Sequence, residues 1–310
     1  MARTVRLGTR ASPLALAQSR WVESRLQAHH PHITTELVII KTTGDKLKDV
    51  PLAKVGGKGL FIKEIEEALL AGKVDLAVHS LKDMPAQMPA GCRLAAVPPR
   101  EDWRDAFISY RYSSLQEIPP GGRVGTGSLR RRVQLLNRRP DLEVVHLRGN
   151  VDTRLRKLRE QGLDAIILAA AGLNRLGLGH LPRTLLAAQD MLPAVGQGAL
   201  GLEIRDQDQE MQELLAFLDD PPSRLAVSAE RAFLERLEGG CLVPVAALAV
   251  VQEDRLELEA LISDLEGRHL LRERTSGPAA AAADLGRSLA ERLLDLGGRE
   301  ILSQIYGRPL

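Results

Sequence analysis

Two α/β domains followed by a small α+β domain with an antiparallel sheet are what this 310-residue sequence predicts. Three observations carry that expectation. Strand-like and helix-like stretches alternate from Val5 to His79 in the βαβ rhythm of an α/β sheet. The rhythm stops at Pro98-Pro99 and restarts beyond it, so a second α/β domain is expected to begin near Pro98–Asp105. After Asp219-Asp220-Pro221-Pro222 the alternation gives way to a helix, a run of strands and a closing helix.

Element by element, Val5–Gly8 reads as the first strand. Ser12-Pro13-Leu14 opens a helix, with Ser12 as its cap and Pro13 at the first helical position, where a missing N–H costs nothing. Thr35–Thr42 is β-rich, and Gly59–Ala71 is amphipathic at helical spacing. Leu76–His79 is a short buried strand that runs into Leu81-Lys82-Asp83-Met84-Pro85. In the second domain Val124–Gly125, Leu142–Leu147 and Ala165–Ala170 read as strands, with helices over Ser128–Asn137 and Asp152–Gln161. Met191–Glu203, with strand-like Leu200–Ile204, begins the return toward the first domain. A helix over Ser223–Leu237, strands over Val245–Val251, Leu256–Ser263 and His269–Thr275, and a helix over Ala279–Leu296 complete the third. The expected domains are residues 1–98 with 193–218, residues 99–192, and residues 219–310. No repeat of solenoid period is present.

Composition narrows the class. With 44% hydrophobic and 26% charged residues, this is an ordinary globular chain. Aromatic residues make up 3%, few for a protein that stacks single-stranded nucleic acid on aromatic side chains. The N-terminus enters a strand pattern and lacks the apolar core of a signal peptide. The longest apolar run, Leu242–Val251, is about half a membrane span and contains Pro244. A cytoplasmic protein with no nucleic-acid or membrane partner is expected. Cys92 and Cys241 are too isolated for a disulfide framework or a structural zinc site. The seven histidines show no metal-ligand spacing, so no metal is expected, and His29, His30 and His32 read as a polar turn.

The charge is unevenly placed. The net charge is only +2, yet eleven basic residues and three acids lie between Arg123 and Arg159. Such a cluster repels itself unless an anion meets it. Either it is a solvated helix face, or it is a wall for a ligand with several negative charges, since the planar guanidinium fork suits carboxylates and phosphates. Gly125-Thr126-Gly127-Ser128-Leu129-Arg130-Arg131 sets hydroxyls, amides and arginines at a helix N-terminus, a favourable anion site. Gly56-Gly57-Lys58-Gly59, beside Lys54, lacks the spacing of a nucleotide loop but lets backbone amides reach an anion. Asp83 follows a buried strand, where ligands of open α/β sheets bind. It is either a helix cap or a carboxylate that moves protons or stabilises a cation. Cys241, on the glycine-flexible turn Glu238-Gly239-Gly240-Cys241, is either an inert thiol or a nucleophile. Cys92 reads as structural.

Seven stretches together go further. They are Thr9-Arg10-Ala11-Ser12-Pro13-Leu14-Ala15-Leu16-Ala17-Gln18, Pro51-Leu52-Ala53-Lys54-Val55-Gly56-Gly57-Lys58-Gly59-Leu60-Phe61 and Ala77-Val78-His79-Ser80-Leu81-Lys82-Asp83-Met84-Pro85, then Ser128-Leu129-Arg130-Arg131, Leu147-Arg148-Gly149-Asn150-Val151-Asp152-Thr153-Arg154, Leu192-Pro193-Ala194-Val195-Gly196-Gln197-Gly198-Ala199 and Glu238-Gly239-Gly240-Cys241. In this order they resemble the porphobilinogen deaminase family over nearly the whole chain.

The resemblance implies two α/β lobes of the periplasmic-binding-protein type with a cleft, and a third domain that offers Cys241 there. It implies an enzyme that joins four porphobilinogen units, with release of ammonia, into the linear tetrapyrrole hydroxymethylbilane. The chain would grow on a dipyrromethane cofactor held through a thioether to Cys241. Asp83 would be the catalytic carboxylate, assisting ammonia loss and stabilising positively charged azafulvene and pyrrole intermediates. Each pyrrole carries an acetate and a propionate, which gives the arginines a ligand. By motif match, Lys58, Ser80, Lys82, Thr126, Ser128, Arg130, Arg131 and Arg154 would hold the cofactor. Arg10, Ser12, Lys54, Arg148 and Arg175 would hold substrate. Arg132, Arg138, Arg139, Arg156 and Arg159 carry no such role and are expected to be solvated. A monomer is expected. Many relatives have serine where this chain has Gly127, so one hydroxyl toward the cofactor acids is missing and weaker holding is expected. The competing class is a two-lobed anion-binding or regulatory module without enzymatic activity. Asp83 together with Cys241 discriminates, because a pure binder needs neither.

Overall fold

The structure is a computed structural model that describes residues 3–46, 62–239 and 243–309. Its residues fall into two compact units, Met1–Glu101 with Ala199–Arg224 and Asp102–Gly198 with Leu225–Leu310.

The first unit is a five-stranded sheet of β1 (Thr4–Thr9), β2 (Thr34–Ile39), β3 (Leu76–Ser80), β4 (Cys92–Ala96) and β10 (Leu200–Arg205), in the order β2-β1-β3-β10-β4. β1 runs parallel to β2 and β3, and β10 runs antiparallel to β3 and β4. Side chains alternate across the sheet. Leu76 and Val78 join Val5, Leu7 and Leu202 against Val22 and Leu26 of helix α1 (Pro13–His29). Ala77 points the other way, into a cluster with Ile65 and Leu69 of helix α2 (Lys63–Leu70). Ser12 caps α1 as expected, its Oγ accepting from the Ala15 amide at 3.3 Å, with Pro13 at the start of the helix.

The second unit holds two sheets. One contains β5 (Asp105–Ile108), β6 (Arg123–Thr126), β7 (Glu143–His146), β8 (Ala165–Ala169) and β9 (Arg183–Leu186), in the order β7-β6-β8-β5-β9. Here too the first parallel strand lies between the second and third, and an antiparallel strand, β5, lies against the third. Helices α3 (Leu129–Arg138), α4 (Val151–Glu160) and α5 (Ala170–Arg175) belong to this layer. Helix α6 (Gln209–Leu215) follows β10 and packs Met211 and Leu215 into the first unit's core; helix α7 (Pro221–Arg236) comes next, and the second sheet is the antiparallel β11 (Val245–Gln252), β12 (Arg255–Ser263) and β13 (Leu270–Pro278). It packs Ala247, Leu258 and Ile262 against Ala229 and Phe233 of α7 and against Leu289 and Leu293 of α8 (Ala282–Leu293).

The expected fold class is therefore observed: mixed α/β sheets plus a small antiparallel sheet. Three strands, β4, β5 and β9, were not expected. Each has four or five residues, as do β3, β6, β7 and β8, but lies outside the strand–helix alternation that located those. The closing helix also differs. It ends as α8 at Leu293, passes through a turn in which Gly297 has φ +111°, and continues as α9 (Arg299–Tyr306). A left-handed residue cannot propagate an α-helix, and glycine takes that conformation without a Cβ clash.

Candidate functional site

Three candidate residues of the first unit, Ser80, Lys82 and Asp83, lie at the end of β3. Leu81, Lys82 and Asp83 form a single 3-10 turn directly after the strand, and Met84 N–H closes it on Leu81 O at 3.0 Å. The strand end is held on both faces. Ser80 exchanges hydrogen bonds with Gln18 of α1, at 2.8 and 3.2 Å. His79, on the opposite face, meets Glu203 of β10. The Leu81 amide then donates to Ala199 O. Asp83 is half-buried, ends this 3-10 turn and caps no α-helix. Among the described residues its carboxylate has no hydrogen-bond or ion-pair partner. Lys82, half-buried, is its chain neighbour. A close approach supports the turn: a Cβ on Gly201, opposite His79, would lie 2.6 Å from Met84 Sδ.

Arg10 follows β1 and forks onto Asp45, with Nε 3.2 Å and NH2 2.5 Å from Oδ1. Burial pushes the Asp45 carboxyl up, but Arg10 and Thr42 outweigh it and leave it below the usual range.

In the second unit, α3 begins as its sequence suggests. Ser128 Oγ accepts from the Arg131 amide at 3.4 Å, and buried Thr126 Oγ1 accepts from the Ser128 amide at 3.2 Å. The side chains that follow do not point into solvent. Arg130 and Arg131 are each 5% exposed, and both close on Asp105, which is 0% exposed. Arg130 NH1 lies 2.7 Å from Oδ2, and Arg131 places Nε and NH2 at 3.0 and 2.7 Å from Oδ1. Arg130 also donates to Leu192 O, Arg131 to Ile167 O, and Gln197 Nε2 to Asp105 Oδ1. Burial would raise the Asp105 carboxyl, but the two guanidiniums hold it far below the carboxylate range. Two positive charges against one negative leave one in excess at a helix N-terminus whose first turn contains no acid. The Arg130 Nε is buried without a partner among the described residues.

The rest of the basic segment divides. Asn150 caps α4, a cap the sequence reading missed, accepting from the Thr153 amide at 3.0 Å. Arg154 Nε donates to Gly149 O at 2.8 Å and Arg148 Nε to His146 Nε2 at 3.2 Å. Burial first, then Arg148, Arg154 and Lys157, push the His146 imidazole down, consistent with its accepting role. Arg175 donates to Gly198 O at 2.8 Å. Arg156 and Arg159 are exposed as expected, Arg159 lying 4.6 Å over the Tyr110 ring. Arg139 corrects the expectation of solvation: it is half-buried and donates to Leu115 O, Ile118 O and Asp141. Lys54, Lys58 and Cys241 lie outside the described residues. Cys92 is buried on β4, and burial, then Glu203, push its thiol up to about 12, which makes it unreactive.

Sequence reasoning missed Asp105, Gln197 and Glu230. Asp105 and Gln197 organise the arginine pair. Glu230 of α7 accepts from the Gly196 amide at 2.6 Å and the Ala249 amide at 2.8 Å, fastening the Leu192–Gly198 segment to β11. Five acids and bases crowd Arg100–Asp105 in the sequence, but nothing local says which of them is buried.

Comparison with known proteins bears on the whole chain. Residues 5–213 match the family model "Porphobilinogen deaminase, dipyromethane cofactor binding domain", and residues 224–295 match "Porphobilinogen deaminase, C-terminal domain". The porphobilinogen deaminase of Syntrophus aciditrophicus is 54% identical over 98% of this chain and 100% of its own length. That of Trichlorobacter lovleyi is 55% identical over 99% and 98%. Among solved structures, the methionine binding protein MetQ aligns with a TM-score of 0.45 at 12% identity, over 74% of this chain and 94% of its own. With both models matched in order and relatives more than half identical from end to end, the chain belongs to the porphobilinogen deaminase family, the hydroxymethylbilane synthases that join four porphobilinogen units with release of ammonia in tetrapyrrole biosynthesis.

Proposed function

We propose that Asp83 is the catalytic carboxylate of this transferase and that Cys241 carries its dipyrromethane through a thioether. The observation that carries the first assignment is the half-buried Asp83 carboxylate, unpaired among the described residues, on a turn clamped to the end of β3. An anion already fixed in place stabilises positive charge that develops as ammonia leaves, without reorganising at that moment. Its neighbour Lys82 offers a cationic partner for substrate carboxylates.

The donor set around α3 fits a polycarboxylate such as dipyrromethane. The excess positive charge of the Arg130–Arg131–Asp105 cluster, the helix N-terminus and the unpartnered Arg130 Nε all favour an anion. When bound, the group supplies the pyrrole to which the first porphobilinogen is joined. Thr126, Ser128, Arg130, Arg131, Arg154, Ser80, Lys82 and Lys58 are assigned to hold its acids. Arg10, Ser12, Lys54, Arg148 and Arg175 are assigned to the incoming substrate. Arg130 and Arg131 can serve only through donors that Asp105 leaves over, so Asp105 sets their direction.

We further infer three domains, residues 1–98 with 193–218, 99–192 and 219–310. The separate apolar clusters of the three sheets support that division. A cytoplasmic monomer acting on porphobilinogen, with no nucleic-acid or membrane partner, completes the reading. No helix among the described residues is long and apolar enough to cross a membrane.

The test compares Asp83→Asn, which removes the charge at constant size, with Asp83→Glu, which displaces it by about one methylene. Turnover should fall about 10²-fold or more in the first and less in the second, with both proteins melting near wild type. Normal turnover by Asp83→Asn would end the assignment.

A further inference from the structure

A set of ionisable groups sealed into the first unit lies outside the proposed binding residues. His79 Nε2 and Glu203 Oε2 are 2.8 Å apart, with side chains 4% and 0% exposed. The contact is a diagonal one across β3 and β10, since His79 lies opposite Gly201 and Glu203 opposite Ala77. Glu66 lies on α2, which packs on β1, β3 and β10, and its carboxyl interacts electrostatically with both Glu203 and His79. Glu203 Oε1 is buried with no partner among the described residues, and so is Glu66 Oε1. Two ionised carboxylates in that state would repel each other, each with an oxygen lacking a donor. One proton removes both defects, because a protonated Glu66 becomes a donor and no longer repels the neighbouring carboxylate.

We propose that Glu66, His79 and Glu203 form one proton-sharing cluster, with Glu66 as its neutral acid, and that the cluster positions Asp83. It grips β3 one residue before the Ser80–Gln18 clamp, on the opposite face, and Asp83 follows four residues after His79. The positioning role rests on the reading of Asp83 as catalytic; the shared proton does not.

Burial, then the Glu203 charge, push the Glu66 carboxyl up to about 7, with a partial offset from His79. The other groups facing the cluster do not replace its proton. Cys92 of β4 stays a neutral thiol that hydrogen-bonds Glu203, a weak donor beside a carboxyl proton, and Asp206, beyond β10, adds negative charge. Arg6 of β1 and Arg205 of β10 are engaged with Asp75, and Arg205 also with Asp208. Glu64 of α2 accepts from Thr43. Glu66 binds its proton more tightly folded than unfolded, where its value is 4.5. Its contribution to stability is thus full below pH 4.5 and is lost as pH rises through about 7.

The experiment uses the holoenzyme and reads melting temperature and steady-state kinetics from about pH 5 to about pH 8.5. Wild type should lose melting temperature across that range. Glu66→Gln, a permanent neutral donor, should flatten the loss and melt higher than wild type at the alkaline end. Parallel melting profiles would overturn the shared proton. Glu203→Ala should lower kcat about tenfold or more with little change in KM, the signature of a displaced catalytic group, and Glu203→Gln should restore part of it. A folded Glu203→Ala enzyme with wild-type kcat would overturn the positioning role. If Glu203→Ala does not fold, the kcat of Glu203→Gln decides: a shortfall at unchanged KM supports the role, and wild-type kcat overturns it. A fully active Asp83→Asn enzyme would instead refute the Asp83 assignment and leave the melting profiles as they are.

Discussion

Replacing Asp105 by asparagine should cost the second unit more than any single exposed substitution. The carboxylate is 0% exposed and faces two guanidiniums that are each 5% exposed. Both ion pairs measure 2.7 Å, and Gln197 donates to the same group at 2.9 Å. Asparagine preserves the shape but leaves two buried cations with no counter-charge. Removing one partner of a buried ion pair costs about 3–5 kcal/mol, because the remaining charge stays desolvated. For a unit of this size that is a fall of about 10 °C in melting temperature. The assay is calorimetry of wild type, Asp105→Asn, Arg130→Met and the double variant. The double variant should recover part of the loss, because it removes one stranded charge, so the two costs should not add. The pH dependence has a definite sign. The folded carboxyl lies below its unfolded value of 3.8, so its contribution is present above that pH and is lost as pH falls below it. Asp105→Asn should lack this acid-range component. A variant melting within about 2 °C of wild type, or strictly additive costs in the double variant, would refute the argument.

Further outcomes follow from the site. The denatured holoenzyme should weigh more than its sequence by two linked pyrrole units; Cys241→Ser should abolish that excess in intact-mass measurement, and Cys92→Ser should not. Arg148→Leu should hinder chain growth, whereas Arg159→Leu, which loses an exposed stack on Tyr110, should leave turnover nearly unchanged; equal losses would point to a diffuse field instead of specific contacts. A Cβ at position 127 would lie 2.5 Å from Leu147 O, so Gly127→Ser, although it supplies the hydroxyl common among relatives, should destabilise by about 1–3 kcal/mol in thermal melting.

What could be read beforehand was local. The caps at Ser12 and Ser128 depend on residues within three positions, and they appear where their sequences place them. The longer alternating elements did too. β4, β5 and β9 were not legible, because they lie outside the strand–helix alternation that located the equally short β3, β6, β7 and β8 and are defined by their partners. The kinship of the two five-stranded sheets was equally hidden. Their common order arises from which strands pair, and each draws its antiparallel member from a different place in the chain, β10 in one and β5 in the other.

The arginine-rich segment shows where reading by charge stops. Counting side chains between Arg123 and Arg159 locates an excess of positive charge but cannot say which guanidiniums are already answered. Arg130 and Arg131 stand in a segment with few acids, and their counter-ion comes from Asp105, 25 and 26 residues upstream on another strand. Arg139, expected in solvent, instead ties two backbone carbonyls of the preceding loop. The net charge at the start of α3 is therefore a difference, two buried cations less one buried anion, at a helix end that adds its own partial charge. A difference of that kind can be tuned by altering Asp105 without touching any group proposed to meet the ligand.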